Sequence, residues 1–184
     1  MCSSDLLLKY AEVTGERGNI KVSDKICKLI MSVCDEETNI HYKTRALEIY
    51  TGLHGIDAMK LLQAAASHPD KKYRNAAMRI SLDIPNGAAI SRWIAYYPKA
   101  SPESRPELIT LFGISGDASS LPLVTEALSD ADPHVRYEAA NAISRIGGEK
   151  AIPSLITYLM KYGDESDQKA AKSALVTLDR KSVV

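Results

Sequence analysis

Residues 130–160, DADPHVRYEAANAISRIGGEKAIPSLITYLM, contain a helix start, a helix break and a second helix. Asp132 and Pro133 form the start, because an aspartate side chain caps free backbone N–H groups and proline at the first helical position loses no hydrogen bond. Gly147 ends the helix, since glycine adopts the left-handed cap without steric cost. Pro153 falls in the first turn of the next helix, where its missing N–H is harmless. The stretch therefore predicts a helical hairpin.

Each helix of this hairpin has one apolar stripe, with apolar residues at steps of three or four. The first stripe is rich in alanine, and small side chains let neighbouring helix axes approach closely. The predicted core positions are Val135, Ala139, Ala142, Ile143, Ile146, Ile152, Leu155, Ile156 and Leu159. Both helices are therefore expected to bury one face against their neighbours.

The same design recurs along the chain at a spacing of 31 residues. A fixed period with matching basic, apolar and helix-breaking positions indicates an array of repeats. The matching basic positions are Lys43, Arg74, Arg105 and Arg136. The position of Leu155 is matched in the earlier repeats by Leu62, Trp93 and Val124. We therefore expect Trp93, the single tryptophan, to lie in the core.

These residues resemble the HEAT-repeat family, in particular its short bacterial form. The resemblance is carried by Asp132-Pro133, Val135-Arg136, Ala139-Ala140, Ile143, Ile146-Gly147, Ala151-Ile152-Pro153, Leu155 and Leu159. It implies an all-α fold of the armadillo type, a right-handed α-α superhelix or HEAT-like solenoid of about five helical hairpins. In that family the arginine at the position of Arg136 commonly pairs with a turn aspartate, which forms a ladder between repeats. Asp70, Asp130 and Asp132 are the candidates in this sequence, and Lys99 and Ser101 interrupt the acidic row.

The predicted organisation is a single HEAT-like repeat domain over residues 1–184. Residues 1–40 would form an N-terminal cap or a divergent repeat, and residues 41–179 the regular repeats. The helix that should cover residues 167–178 is missing from the pattern, so the chain is hypothesised to be a segment of a longer protein. Helices are predicted near residues 4–14, 21–34, 39–53, 57–67, 71–84, 87–97, 103–115, 118–129, 133–146, 149–162 and 167–178.

The composition is that of a folded soluble protein, with 45% hydrophobic and 25% charged residues. No stretch reaches a membrane-spanning length, and no secretory leader follows Met1. Cys27 and Cys34 lie on one predicted helix about 10 Å apart by helical rise, which is too far for a disulfide. These two cysteines are interpreted as small, reduced core residues, which favours the cytoplasm. The third cysteine is Cys2.

The net charge is zero, but the charges are unevenly distributed along the sequence. Residues 41–99 carry nine basic and four acidic side chains, a net charge of +5. Residues 100–140 carry two basic and seven acidic side chains, a net charge of −5. This distribution fits either a partner of complementary charge or two solvated faces.

The histidines His41, His54, His68 and His134 show no metal-ligand spacing, and no Cys-x-x-Cys pair occurs. Deoxyhypusine hydroxylases, one HEAT-like enzyme family, hold iron with repeated His-Glu pairs, and no such pair is present here. The sequence also has no G-x-S-x-G elbow and no Walker loop. These observations predict a protein that is not an enzyme and has neither a metal nor a cofactor.

The predicted function is that of a non-catalytic scaffold or adaptor, which binds a protein partner on the concave face of the solenoid. The resemblance places residues 39–53, 71–84, 103–115, 133–146 and 167–178 on that face. The predicted contact residues are Thr44, Glu48, Asn75, Arg79, Thr110, Tyr137, Asn141, Gln168 and Lys172. The row Lys43, Arg74, Arg105 and Arg136 is interpreted as structural, with bonds between repeats.

Two alternatives to the scaffold remain open at this point. The first is an accessory lyase or chaperone-like protein, because HEAT-like proteins include bilin-attaching lyases. The second is a nucleic-acid-binding array similar to the HEAT-like DNA glycosylases. An isoelectric point near 6.9 speaks against nucleic-acid binding, which usually needs a clearly basic face.

Overall fold

The computed structural model describes residues 3–33, 39–147 and 149–182. Within these ranges the chain is helical and contains no strand, which confirms the predicted all-α, HEAT-like class. The α-helices are α1 (Ser3–Glu16), α2 (Ile20–Val33), α3 (Ile40–His54), α4 (Met59–Ala65), α5 (Lys71–Ile80), α6 (Ala88–Tyr96), α7 (Ser104–Ser115), α8 (Leu121–Ala127), α9 (Pro133–Ile146), α10 (Ile152–Lys161) and α11 (Glu165–Ser182). Short 3₁₀ turns connect several of these helices.

The chain divides into two compact units, residues 1–89 and residues 90–184. In the first unit α3 packs against α1, α2 and α5, and α4 packs against α5. In the second unit α9 packs against α7, α8 and α11, and α10 packs against α11. Alternate helices along the chain are therefore neighbours, as expected for stacked hairpins. The single domain over residues 1–184 stays a prediction.

The start of α9 forms as the sequence predicted. Pro133 is the first helical residue, and the side chain of Asp132 accepts a hydrogen bond of 2.9 Å from the backbone N–H of His134. The cap satisfies one of the N–H groups that a helix start leaves without a helical partner. This local signal was sufficient to place the helix boundary.

The end of α9 differs from the prediction. Gly147 has extended backbone angles (φ −76°, ψ 145°) rather than the left-handed cap. Glycine is required there for space, because a Cβ atom would lie 2.8 Å from the carbonyl oxygen of Ile143 and 2.9 Å from Cβ of Ala151. The left-handed cap occurs one period earlier at Gly116 (φ 66°), which ends α7. Gly148 lies outside the described residues.

The predicted core of the repeat is confirmed at most positions. Leu62, Trp93, Val124 and Leu155, which share one place in the period, all have zero exposure. Val135, Ala139, Ala142 and Ile143 are also buried. The 31-residue period therefore marks equivalent places in the structure.

The prediction was wrong for Ile156, which is 45% exposed. A 3₁₀ turn at Glu149–Ala151 precedes α10, and the buried residues that follow are Leu155 and Tyr158. The inward face of α10 is therefore rotated away from the predicted stripe. An aromatic residue, Tyr158, takes a core place that the apolar pattern did not assign.

The predicted apolar set of α2 was also partly wrong. Leu29 and Val33 are 55% and 65% exposed, whereas Cys27 and Ile30 are buried. The side of α2 that packs against α1 and α3 therefore includes a thiol and, at Ser23, a hydroxyl. Burial raises the pKa of the Cys27 thiol, which suits the core-filling role predicted for it.

Cys2 and Cys34 lie outside the described residues. The predicted absence of a disulfide between Cys27 and Cys34 therefore remains a prediction from the sequence.

Helices α7 and α9 approach each other closely at Gly113. A Cβ atom added to Gly113 would lie 2.9 Å from Cα of Ala142 and 3.0 Å from its Cβ. The backbone of α9 thus occupies the space that a side chain at position 113 would need. This contact explains why small residues are needed at positions 113 and 142.

Within residues 3–33, 39–147 and 149–182, no helix combines the length and the apolar character that a membrane crossing requires.

Candidate functional site

Arg136 is bonded through both terminal nitrogens of its guanidinium. The residue is buried, and its guanidinium donates hydrogen bonds of 3.1 Å to the carbonyl oxygens of Asp130 and Ala131. It also donates a bond of 2.7 Å to the carboxylate of Asp167 on α11. The guanidinium further lies 4.2 Å from the ring centroid of Tyr162. Arg136 therefore joins the turn before α9 to the start of α11.

Asp167 completes a buried ion pair in the second unit. It is only 1% exposed, and its second carboxylate oxygen accepts a hydrogen bond from the hydroxyl of Tyr158. Burial opposes ionisation of this carboxyl, but hydrogen bonds led by the one from Arg136 hold its pKa below the ordinary value. Burial and the contact with Asp167 raise the pKa of Tyr158. The phenol is therefore neutral and the carboxylate is charged at neutral pH.

The sequence interpretation missed Asp167, although the signal was present. Asp167 lies one period after Arg136, so it occupies the next step of the row Lys43, Arg74, Arg105 and Arg136. The next position of the row is therefore acidic rather than basic. Counting one more step of 31 residues would have suggested that Arg136 pairs with this carboxylate.

The earlier members of the row have different surroundings. Arg74 donates hydrogen bonds of 2.9 and 2.8 Å to the carbonyl oxygens of His68 and Pro69, as Arg136 does at its own turn. Lys43 lies 3.4 Å from Nε2 of His68 and 5.3 Å from the ring centroid of Tyr73. Nε of Arg105, like Nε of Arg136, is buried and has no hydrogen-bond partner among the described residues.

The three aspartates proposed as ladder partners instead bind backbone N–H groups. Asp70 accepts 2.9 Å from the N–H of Tyr73, and Asp130 accepts 2.9 Å from the N–H of Asp132. Asp132 caps α9. The carboxylates that contact Arg136 are those of Asp167 and, at 3.7 Å, Asp164. These aspartates thus shape the turns that present their carbonyl oxygens to the basic residues.

Among the nine predicted contact residues, Glu48, Arg79 and Lys172 are exposed and the other six are half-buried. In the first unit, Thr44 donates a hydrogen bond to the carbonyl of Ile40, and Glu48 pairs with Arg45 at 2.7 Å. The structure places Asn75 and Arg79 on α5 of the same unit. These positions therefore lie on α3 and α5 as predicted, with two of the four engaged locally.

In the second unit, two of the predicted contact residues make internal hydrogen bonds. Thr110 on α7 donates 3.0 Å to the carboxylate of Glu138 on α9. The amide of Gln168 donates bonds of 2.7 Å to the carbonyl oxygens of Leu159 and Tyr162. Gln168 therefore holds the end of α10 against α11, and Tyr137, Asn141 and Lys172 remain as the candidate contact residues of this unit.

The comparison with protein families concerns the second unit. A family model of HEAT repeats matches residues 90–176. Residues 90–176 belong to the HEAT-repeat family. The match lies entirely within the second unit, and it confirms the resemblance that the repeat at residues 130–160 indicated.

Among curated proteins the chain is similar to two deoxyhypusine hydroxylases. It is 34% identical to the protein of Neurospora crassa over 77 residues, which is 41% of this chain and 23% of the relative. It is 31% identical to the protein of Drosophila melanogaster over 111 residues, which is 59% of this chain and 35% of the relative. The aligned part thus spans about a quarter to a third of the length of these relatives.

These relatives overturn the functional prediction. The expectations of a non-catalytic scaffold and of a protein that is not an enzyme are wrong, because both relatives are named as an enzyme. The lyase or chaperone-like alternative and the nucleic-acid-binding alternative do not match these relatives either. The physical reason for the error is that HEAT repeats fix a fold that serves both binding and catalysis.

The residues of this chain do not fit an iron site built from His-Glu pairs. None of His41, His54, His68 and His134 is followed by glutamate. In the described part of the chain, no three His, Cys, Asp or Glu side chains form a group that could hold a metal ion. His54 instead pairs with Asp24 at 2.7 Å. We therefore assign no step of a metal-dependent oxidation to residues of this chain.

Proposed function

We propose that this chain supplies helical repeats to an enzyme of the deoxyhypusine hydroxylase kind and that these repeats help to hold the protein substrate. The observation that carries the proposal is the similarity to two curated deoxyhypusine hydroxylases at 31–34% identity. The HEAT repeats of the second unit agree with it, because stacked hairpins present an extended surface to another chain.

The substrate chemistry is complementary to the charge of residues 100–140, which lie within the second unit. Deoxyhypusine is a lysine side chain lengthened by an aminobutyl group, so it is positively charged at neutral pH. Residues 100–140 carry a net charge of −5. Glu103 and Glu126 are exposed within this stretch, and Glu138 is half-buried. An acidic surface of this kind attracts a cationic side chain and raises its rate of association.

The predicted contact residues of the second unit support the same role. Tyr137 and Asn141 on α9 and Lys172 on α11 combine an aromatic ring, an amide and a charge. α9 packs against both α7 and α11, so these helices form one layer. We assign to these residues the contact with the body of the substrate protein, and to the acidic stretch the attraction of the modified lysine.

Binding is the measurement that tests this proposal, because no group of side chains in the described residues could hold a metal ion. Two fluorescent peptides of identical sequence, one with deoxyhypusine and one with lysine, are titrated with the protein at low and high salt. We expect tighter binding of the deoxyhypusine peptide and weaker binding at high salt. Reversing the charge of Glu103 and Glu126 together should weaken binding about fivefold.

Asp57→Lys provides the matched control, since Asp57 is an exposed acid of the first unit. It should leave the affinity for the deoxyhypusine peptide close to that of the unaltered chain. Equal affinity for the two peptides would refute recognition of the modified lysine. Binding that the Glu103 and Glu126 reversals leave unchanged would refute the role of the acidic stretch.

A further inference from the structure

A small groove lies between α8 and α10 in the second unit. It encloses about 180 Å³, and its lining includes Thr125, Leu128 and Ser129 from the α8 side and Ser154, Lys161 and Tyr162 from the α10 side. Sites for drug-sized ligands usually enclose about 300–1,000 Å³. The groove is therefore of a size for one side chain or one small group rather than for a large ligand.

The period of the chain explains why space remains at this place. Leu128 lines the groove, and one period earlier the equivalent residue is Tyr97. The hydroxyl of Tyr97 is buried and has no hydrogen-bond partner within the described residues. A leucine side chain lacks the ring and the hydroxyl of tyrosine. The change from tyrosine to leucine between successive repeats thus leaves room next to α10.

The lining of the groove combines apolar surface with hydroxyl groups and one charged side chain. Lys161 supplies an ammonium group, 5.0 Å from the ring centroid of Tyr162. Thr125, Ser129 and Ser154 supply hydroxyl groups, which can donate hydrogen bonds. Tyr158 also borders the groove, but its hydroxyl binds Asp167, whose charge is compensated by Arg136. The free charge that faces a ligand is therefore that of Lys161.

We propose that this groove binds one carboxylate side chain, a glutamate presented by a partner protein. The ammonium group of Lys161 would pair with the carboxylate, and the hydroxyls would donate hydrogen bonds to its oxygens. The glutamate methylene groups would pack against Leu128 and the ring of Tyr162. This site differs from the acidic stretch proposed above to attract a cationic side chain. The two proposals are tested independently of each other.

The test is a titration followed by amide NMR spectra of the whole chain. The probe is N-acetyl-glutamate N-methylamide, and the matched neutral probe is the corresponding glutamine compound. We expect saturable shifts at Ser129, Ser154 and Lys161 with the glutamate probe, with a Kd of about 1–10 mM for so small a ligand. The glutamine probe should bind at least about tenfold more weakly, because it cannot form the ion pair.

Two variants locate the binding. Lys161→Met removes the charge at an exposed position and should weaken binding of the glutamate probe about tenfold. Leu128→Tyr copies the residue of the preceding repeat and should fill the groove and abolish the shifts. Lys150→Met, which removes an exposed lysine outside the lining, is the control and should bind normally.

Equal shifts with the two probes would overturn the proposal, as would unchanged binding by Lys161→Met. The amide spectrum of each variant shows whether its fold is retained. If Leu128→Tyr fails to fold, the comparison of Lys161→Met with Lys150→Met decides the question by itself.

Discussion

The basic residue of the repeat has different partners in the two units. In the second unit Arg136 forms a buried ion pair with Asp167, one period further along the chain. In the first unit Arg74 binds backbone carbonyls, and Lys43 lies against the rings of His68 and Tyr73. The family model matches only residues 90–176. Residues separated by whole periods thus occupy equivalent places in the repeat but can have different interaction partners.

The largest expected effect is that of Asp167→Ala on the second unit. The substitution leaves Arg136 buried without its charged partner, and breaking such a pair typically costs about 3–5 kcal/mol. Urea unfolding followed by the fluorescence of Trp93 measures this, because the single tryptophan reports on the second unit. Arg74→Met in the first unit loses hydrogen bonds to carbonyls and should cost less, about 1.5–3 kcal/mol.

Hydrogen exchange of backbone amides separates the two units in these variants. Asp167→Ala should accelerate exchange in α9 and α11, and Arg74→Met should accelerate it in α5. If Asp167→Ala costs no more than Glu165→Ala, which removes an exposed acid of the same helix, the ion pair does not distinguish the second unit from the first.

Acid should destabilise the second unit partly through Asp167. The pKa of this carboxyl is lowered in the folded protein, so its contribution is present above its ordinary pKa and is lost as the pH falls through the lowered folded value. We expect the stability reported by Trp93 to fall on acidification in the unaltered protein and to fall less in Asp167→Asn. Parallel acid profiles for the two proteins would contradict this assignment.

Gly113→Ala should destabilise the second unit by a smaller amount. The added Cβ would lie 2.9 Å from Cα of Ala142, and backbone atoms cannot move aside as a flexible side chain can. Overpacking of this kind typically costs about 1–3 kcal/mol, part of which the better helix propensity of alanine offsets. The denaturant midpoint of the Trp93 transition measures the net change, and an increase would show that α7 and α9 can separate freely.

Gly52→Ala gives the smallest expected effect, with the opposite sign and in the first unit. Gly52 lies within α3, and a Cβ there would have nothing within 4 Å. Replacing an unhindered helical glycine should stabilise the helix by about 0.5–1 kcal/mol. Slower amide exchange in α3 is the expected result, and faster exchange would indicate a contact that glycine alone permits.

The fold was predictable where the signal is local or periodic. The cap at Asp132 and the four equivalent positions of Leu62, Trp93, Val124 and Leu155 follow from short-range chemistry and from the 31-residue spacing. The rotation of α10 was not predictable, because a 3₁₀ turn before a helix changes which residues face inward without altering the composition. The extended backbone of Gly147 likewise depends on how close Ala151 lies.

The functional prediction failed for a different reason. The spacing of His41, His54, His68 and His134 led to the prediction that no iron site is present, and that prediction was extended to the function of the whole protein. The aligned part covers only 23–35% of the enzymes it resembles. The contact residues were derived from register alone, and register does not show that Gln168 is engaged with α10.

The contact between Gly113 and Ala142 has a consequence for how the second unit moves. Sliding of packed helices requires side chains that can change rotamers as the helices shift. At this contact the backbone of α7 lies against Cα and the methyl group of Ala142. Neither group has alternative rotamers, so no side-chain rearrangement can accommodate a shift of one helix along the other. We therefore expect α7 and α9 to move as one body, with any sliding confined to the other helices of the second unit.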